Sequence, residues 1–217
     1  MKGIRPFQTV GCLRIPPNTA YLAFVKIIPN QLYHVYNQGN NQQPVFFTDE
    51  NYLYFLRLLR KFVSPHCDLL AYCLMPNHFH FLVNTTENSC VLKKSGVVEM
   101  NTLAFGFKTL LSSYAQAINK QQKQTGSLFR QATKADQVDE PGADYSLTAF
   151  HYIHQNPLKA KLVSRPEDWA YSSFADYAGF RKGTLCNQDL AYELLPLVKE
   201  SFYTDSLNRI DDRGIKF

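Results

Sequence analysis

Hydrophobic and polar residues alternate along the chain with periods that predict strands and helices in turn. Residues 32–39 are rich in β-branched and aromatic side chains and end in Gly39, which is typical of a strand followed by a turn. Apolar residues then recur at helical spacing between Thr48 or Asp49, which can cap a helix, and Pro65, which ends it. A strand followed by an amphipathic helix is therefore the first predicted unit.

The next segments complete a mixed α+β pattern. Residues 67–75 and 78–84 predict two strands, and the intervening Pro76-Asn77 turn makes them an antiparallel hairpin. After a polar loop at 85–98, a long helix is predicted over 101–124, followed by an extended segment at 127–138. The order strand, helix, strand, strand, helix, strand predicts a ferredoxin-like antiparallel sheet with helices on one face.

Three regions divide the chain on this pattern. Residues 1–29 contain several prolines and no sustained period, so we expect an irregular N-terminal arm. Residues 30–139 form the sheet-and-helix unit. Residues 140–217 predict a helical extension packed on that unit, with a first helix over about 145–154 and a break at Asn156-Pro157.

Cysteine usage and hydropathy favour a cytoplasmic protein. The five cysteines contain no CxxC pair, which favours free thiols in a reducing compartment over a disulfide scaffold. A zinc site built from His66, Cys67 and Cys73 is an alternative, but this spacing matches no common zinc motif. The sequence contains no evident signal peptide and no apolar run of the length that a membrane span needs.

Positive charge is concentrated in one part of the chain. The formal net charge is +5 and the isoelectric point is near 8.9, and the segment 108–134 contains no Asp or Glu. Such a segment suits a phosphate backbone, although a solvated helix face with acidic partners elsewhere explains it equally well. The basic residues of this segment are Lys108, Lys120, Lys123, Arg130 and Lys134.

Two groups of residues could carry chemistry. His78 and His80 lie two apart in a predicted strand, so their imidazoles project from the same face and could bind one divalent cation. Tyr114 lies on the apolar face of the long helix, which is ordinary for a core tyrosine. That face packs on the sheet in the predicted fold, so it could also bring the phenol to the histidine strand as a nucleophile. His34, in the first strand, could point at the same metal face, but a hydrogen-bonded core role is favoured.

Four motifs in a fixed order give these residues a family context. They are YHVYNQG at 33–39, LMPNHFHFL at 74–82, SYAQAIN at 113–119 with TGSLF at 125–129, and YIHQNP at 152–157 with WAYSS at 169–173. Over about residues 33–179, the chain resembles the REP-associated tyrosine transposases, a branch of the single-tyrosine HUH nucleases. The resemblance covers about two thirds of the sequence and identifies residues 30–139 as the nuclease domain.

The resemblance implies a metal-dependent reaction on single-stranded DNA. His78 and His80 match the family's histidine pair and would bind Mg²⁺ or Mn²⁺, and Tyr114 matches the catalytic tyrosine. Cleavage would give a 5′-phosphotyrosine link and a free 3′-hydroxyl. Relatives often complete the metal site from the tyrosine's helix, but Ile118, one turn after Tyr114, cannot bind a cation. Asn119 is the candidate that the resemblance supplies, and water is the alternative.

The resemblance also implies the substrate and the partners. Single-stranded DNA folded into imperfect hairpins is the expected substrate, and a monomer is expected rather than a dimer. The five basic residues of the 108–134 segment are candidates for a single-strand groove, and candidates for holding the hairpin stem are Lys159, Lys161 and Arg165. Two other functions remain open: a non-enzymatic protein of the same fold that binds hairpin DNA or RNA, and a metal hydrolase that uses water and keeps Tyr114 in the core.

Overall fold

A computed structural model describes residues 21–22, 27–95, 98–140 and 143–208 of the chain. Most of the predicted N-terminal arm lies outside the described residues. The strands are β1 (Tyr21–Leu22), β2 (Leu32–Gln38), β3 (Cys67–Met75), β4 (His78–Thr85), β5 (Leu92–Ser95), β6 (Val98–Asn101), β7 (Ala132–Gln137), β8 (Asp139–Glu140) and β9 (Ala143–Asp144). The α-helices are α1 (Asp49–Phe62), α2 (Glu87–Cys90), α3 (Thr102–Gln122), α4 (Ser146–Lys159), α5 (Phe174–Tyr177), α6 (Gln188–Leu194) and α7 (Phe202–Leu207). Short 3-10 turns occupy Asn40–Gln42, Ser64–His66 and Pro166–Asp168.

The central sheet has the strand order β1-β7-β2-β4-β3. β2 pairs antiparallel with both β4 and β7, and β3 pairs antiparallel with β4, whereas β1 runs parallel to β7. The chain passes through β2, α1, β3, β4, α3 and β7 in the predicted order, which confirms the α+β, ferredoxin-like fold. The β3–β4 hairpin closes with Met75 opposite His78, so the predicted turn at Pro76-Asn77 is confirmed.

Alternation along β4 divides its side chains between two faces of the sheet. Phe79 and Phe81 pack on the face covered by α1 and α3, where Phe55 lies 5.4 Å from Phe79 and Phe107 lies 6.0 Å from Phe81 between ring centroids. His78 and His80 project from the other face, because neighbouring strand residues point in opposite directions. That second face is covered by α4, which contacts β3 and β4.

The predicted break at Asn156-Pro157 is wrong. Helix α4 continues through Pro157 and ends at Lys159. Proline removes a backbone donor and usually interrupts a helix, but here it occurs in the last turn, where few intrahelical hydrogen bonds follow it. The added turn puts Asn156 on the same helix as Tyr152, and its amide Nδ2 donates to the Tyr152 carbonyl at 3.0 Å.

The predicted polar loop at 85–98 contains structure of its own. It includes the short helix α2 and the first strand of the β5–β6 hairpin. Ser89 explains part of the difference, because its hydroxyl accepts a hydrogen bond from the Thr86 backbone N–H at 2.8 Å and closes the first turn of α2. None of the helices in the described part of the chain is long and apolar enough to cross a membrane.

Candidate functional site

A row of polar side chains crosses three strands on the sheet face that α4 covers. In the observed register, Tyr36 of β2 lies opposite His80 of β4 on one side and Lys134 of β7 on the other. Gln38 lies opposite His78 in the same way. Since residues directly opposite each other in a sheet point to the same face, the register alone collects two histidines, a tyrosine and a lysine.

This row forms the floor of a cavity of about 360 Å³. The walls come from the start of β7 and from α4, so the cavity lies between the sheet and the helical extension. Its lining residues are Tyr36, Asn37, Gln38, His78, His80, Arg130, Ala132, Lys134, Tyr152 and Asn156. Imidazole, phenol, amide and cationic groups therefore line one cavity.

His78 is held in an orientation that suits metal binding. Its Nδ1 lies 2.6 Å from Asn77 Oδ1, and because an amide oxygen only accepts hydrogen bonds, Nδ1 carries the proton. The imidazole also hydrogen-bonds the side chain of Asn156. Burial lowers the pKa of His78 to about 4, so the ring is neutral at pH 7 and Nε2 is the nitrogen through which it would bind a cation.

His80 is more deeply buried and has a histidine as its neighbour. Its Nδ1 lies 2.9 Å from Nε2 of His34. Burial, with His34 and His78 adding to the effect, lowers the pKa of His80 well below its usual value. Burial likewise lowers the pKa of His34 to about 3. These rings therefore stay uncharged at neutral pH, which is the state in which imidazole binds metals.

Tyr152 of α4 packs directly against the histidine pair. Its ring meets the His80 ring edge-to-face, with 5.6 Å between centroids, and the side chain is 6 % exposed. Lys159 places its Nζ 4.9 Å from the centroid of the Tyr152 ring. Asn156 follows Tyr152 by one helical turn, so the phenol and an amide project from the same side of α4. These side chains give the cavity a phenol and an amide on the side opposite the sheet.

Tyr114 lies on the opposite side of the sheet, which corrects the expectation that α3 brings it to the histidines. Its side chain is 0 % exposed, and its ring packs edge-to-face on Phe55 at 4.9 Å between centroids. The phenol donates a hydrogen bond to the Val45 carbonyl at 2.8 Å, and burial raises its pKa. The helix face does pack on the sheet, but on the face with Phe79 and Phe81. The bonded, buried phenol has the features of a core tyrosine.

Asn119 is also separated from the histidines. Its amide Nδ2 donates to the Gly126 carbonyl at 2.8 Å, and its side chain borders a second cavity, of about 500 Å³, between α3 and residues 126–129. Lys108 borders that second cavity too. Asn119 therefore links the end of α3 to the following loop through a hydrogen bond. The amide side chain that lies beside the histidines is instead that of Asn156.

The remaining basic residues are distributed over several surfaces. Arg130 and Lys134 line the histidine cavity, whereas Lys120 and Lys123 lie at the C-terminal end of α3. Lys161 lies just after α4, and Arg165 forms an ion pair with Asp168 at 2.7 Å. The structure thus brings together only part of the predicted basic set: Arg130 and Lys134 line the histidine cavity, and Lys159 lies over the Tyr152 ring.

The alternative zinc site receives no support from the described residues. Among them, no three His, Cys, Asp or Glu side chains are arranged to hold a metal ion. The thiol of Cys67 contacts the Val63 carbonyl at 3.8 Å, and that of Cys73 contacts the Met75 sulfur at 3.7 Å. Burial raises the pKa of both thiols, so they are protonated in the metal-free protein. A cation in the histidine cavity would have two imidazoles and an amide as protein ligands.

Comparison with known proteins identifies a structural neighbour. No protein-family model and no curated protein matches the chain. A solved structure of a REP-associated tyrosine transposase bound to a REP hairpin aligns with a TM-score of 0.54 at 14 % identity. The alignment covers 76 % of this chain and 86 % of that one. The two proteins share a fold. This agrees with the fold that the sequence motifs indicated.

The placement of Tyr152 and Asn156 beside the histidines was missed by reasoning from sequence, although a signal for it exists. Relatives often take a metal ligand from the tyrosine's own helix, and the residue one turn after Tyr114 is Ile118, which has no ligating atom. Tyr152 has Asn156 at the corresponding spacing, inside the YIHQNP motif. This relation was overlooked because the predicted helix ended at about residue 154, before the expected break at Asn156-Pro157.

Proposed function

We propose that the protein is a metal-dependent single-strand DNA endonuclease and strand transferase in which Tyr152 is the nucleophile. The observation that carries this proposal is the shared cavity: Tyr152, the histidine pair and Asn156 line it together with Arg130 and Lys134. The structural neighbour supports the choice of reaction, since that protein is a tyrosine transposase solved with a hairpin.

The residues present fit a divalent cation. His78 and His80 each have Nδ1 engaged by a neighbouring side chain, which is the usual way in which proteins orient metal-binding histidines. Asn156 adds an amide oxygen, and Mn²⁺ or Mg²⁺ accepts such oxygen ligands with water completing the shell. When bound there, the cation would polarise an oxygen of the scissile phosphate.

The protein's own cations would position the phosphate and favour the phenolate. Arg130 and Lys134 supply positive charge on the β7 side of the cavity, where a phosphodiester could accept hydrogen bonds from both. Lys159 lies over the Tyr152 ring, and a nearby positive charge stabilises the ionised phenol relative to the neutral one. The ring of Tyr114, by contrast, packs against the uncharged rings of Phe46, Tyr54, Phe55 and Phe129.

The proposed chemistry exchanges one phosphodiester for another. The Tyr152 oxygen forms a bond to phosphorus and gives up its proton, while the bond from phosphorus to the 3′ oxygen breaks and that oxygen takes up a proton. The products are a 5′-phosphotyrosine and a free 3′-hydroxyl. Because a second 3′-hydroxyl can reverse the step, the same cavity could rejoin strands without ATP.

We propose single-stranded DNA beside a hairpin stem as the substrate. The scissile phosphate must reach between the sheet and α4, which an unpaired strand can do more easily than a duplex. All the groups assigned to the reaction come from one copy of the chain, which favours a monomer. The cytoplasm is the compartment in which such a substrate and the free thiols would coexist.

A matched pair of tyrosine variants tests the assignment. Labelled hairpin oligonucleotides with single-stranded flanks, taken from repeats of the source genome, are incubated with protein and Mn²⁺ or Mg²⁺ and resolved on a denaturing protein gel. We expect a metal-dependent covalent adduct with the wild type and with Tyr114→Phe, and none with Tyr152→Phe. Both substitutions remove a single hydroxyl oxygen, so they differ only in location.

The opposite pattern would return the nucleophile to Tyr114. Hairpin binding without an adduct, with every repeat and both metals, would favour a non-enzymatic binding protein of this fold. Hydrolysis that persists in Tyr152→Phe would favour a metal hydrolase that uses water. We expect His78→Ala to remove the adduct while the protein stays folded, because this histidine is a partly exposed residue that lines the cavity.

A further inference from the structure

His34 lies directly behind the histidine pair without lining the cavity. It is in the middle of β2, 1 % exposed, and its ring stacks on His80 with 5.0 Å between centroids and 18° between planes. The ring of Tyr36, two residues further along β2, also stacks on the His34 ring, with 4.8 Å between centroids. The ring plane of His34 is thus fixed by packing, and its Nε2 meets His80 Nδ1 at 2.9 Å.

A hydrogen bond between two ring nitrogens constrains the protons on both rings. One nitrogen must carry a hydrogen and the other must offer a lone pair. If His34 donates, Nδ1 of His80 is the acceptor, and a neutral His80 then carries its proton on Nε2. If His80 donates, its Nε2 has the lone pair. Only the second arrangement lets Nε2 of His80 bind a cation from the cavity.

We propose that His34 is a positioning residue that accepts the Nδ1–H of His80 and holds it in the metal-binding tautomer. This inference rests on the proposed function, in which His80 is a metal ligand. Metal-binding histidines usually donate their second N–H to a carboxylate, a carbonyl or water, and here a neutral imidazole takes that place. His78 has its own acceptor in Asn77, so each ligand is oriented by a separate neighbour.

A neutral acceptor has a consequence for the cavity. A carboxylate behind His80 would add a negative charge next to a site proposed to receive a phosphodiester. His34 supplies the lone pair without adding that charge, and the carboxylate opposite it in the register, Asp136 of β7, accepts a hydrogen bond from the Tyr36 hydroxyl at 3.0 Å instead. The choice of histidine at this buried position therefore suits a metal site with an anionic substrate.

Direct metal titration tests the role of His34. Mn²⁺ binding to the DNA-free protein is measured by calorimetry for the wild type, His34→Leu and His34→Gln. Loss of a partner of this kind typically weakens metal binding by about 10- to 100-fold, and we expect that range for His34→Leu. His34→Gln restores an acceptor oxygen, so it should recover at least half of the loss on a logarithmic scale. His151→Gln is the control, because His151 is on α4 beside Tyr152 but bonds Ser206 of α7 and does not line the cavity; it should bind as the wild type does.

The outcomes separate this inference from the proposed function. Wild-type affinity in a folded His34→Leu protein would overturn the role of His34 and leave the metal site standing. A wild type that binds no Mn²⁺ would overturn the metal site and the role of His34 with it. If His34→Leu does not fold, long-range ¹H–¹⁵N spectra of the wild type with Mg²⁺ decide the question: a proton on Nδ1 of His80 supports the proposal, and a proton on Nε2 contradicts it.

Discussion

The pKa values of individual buried histidines in this protein depend on burial more than on neighbouring charge. Removal from water is the largest cause of the lowered pKa at His34, His78, His80 and His154, since a low-dielectric environment disfavours the charged imidazolium. At the cavity this keeps lone pairs on the rings at neutral pH. Elsewhere the same effect makes stability depend on pH.

His154 provides a clean test of that dependence. Its Nε2 contacts the Ser173 hydroxyl at 2.7 Å, away from the cavity, and burial lowers its pKa to about 3. Between that pH and about 6.5, the unfolded chain binds a proton at this residue that the folded chain does not, so stability falls as pH falls. The loss is about 1.4 kcal/mol per pH unit for one such group.

We therefore expect His154→Gln to flatten the pH profile. Urea unfolding between pH 7 and pH 5 should show a free energy of unfolding that falls by about 2 kcal/mol less in the variant than in the wild type. The other buried histidines are present in both proteins, so their effects cancel in the comparison. Parallel profiles would contradict this, because they would mean that His154 has the same pKa in the folded and unfolded protein.

At the scale of elements, two periodicities place the site. The two-residue repeat of β4 puts histidines on one face and phenylalanines on the other, and the 3.6-residue repeat of α4 puts Asn156 above Tyr152. On the opposite face of the sheet, the position of helix α3 depends on a close contact between its backbone and the end of α1. A Cβ built on Gly106 would lie 2.3 Å from the Phe62 carbonyl oxygen, so the small residue permits this close approach.

Substitution of Gly106 tests that approach. In an isolated helix, alanine is favoured over glycine by about 1 kcal/mol, but here the methyl group would collide with backbone. We expect Gly106→Ala to destabilise the protein by about 1–3 kcal/mol through overpacking, as measured by urea unfolding. Ser112→Ala, at an exposed position of the same helix, should be neutral or slightly stabilising. Increased stability in Gly106→Ala would mean that the two helices separate easily.

At the scale of the whole molecule, the sheet separates the face that carries the histidine cavity from the face on which α1 and α3 pack. Arg130 and Lys134 lie on the first, whereas Lys120 lies at the end of α3, which packs on the second. The acid-free segment of the sequence therefore does not form one continuous groove. If DNA enters the histidine cavity, only part of that segment contacts phosphates.

The salt dependence of binding distinguishes the two faces. Each phosphate contact to single-stranded DNA contributes about 0.7 to the slope of log affinity against log salt concentration. We expect Lys134→Ala to reduce the slope by about that amount and Lys120→Ala to leave it unchanged, as measured by fluorescence anisotropy with Tyr152→Phe as the uncleaving background. A reduced slope in Lys120→Ala would place DNA on the α3 face instead.

The sequence by itself determined the order of elements, the β3–β4 hairpin and the shared face of His78 and His80. These follow from local periodicity and turn chemistry, which need no knowledge of distant residues. The sequence also contains the four-residue spacing of Tyr152 and Asn156. This spacing was not recognised, because Pro157 was expected to break the helix.

Only the tertiary structure decided which tyrosine lies beside the histidines. Both Tyr114 and Tyr152 lie on helices that pack on the sheet, and periodicity shows that a helix has a buried face without showing which side of the sheet it covers. That choice depends on how the chain crosses the sheet after β4 and again after β7. The crossing puts Tyr114 among phenylalanines and Tyr152 against His80.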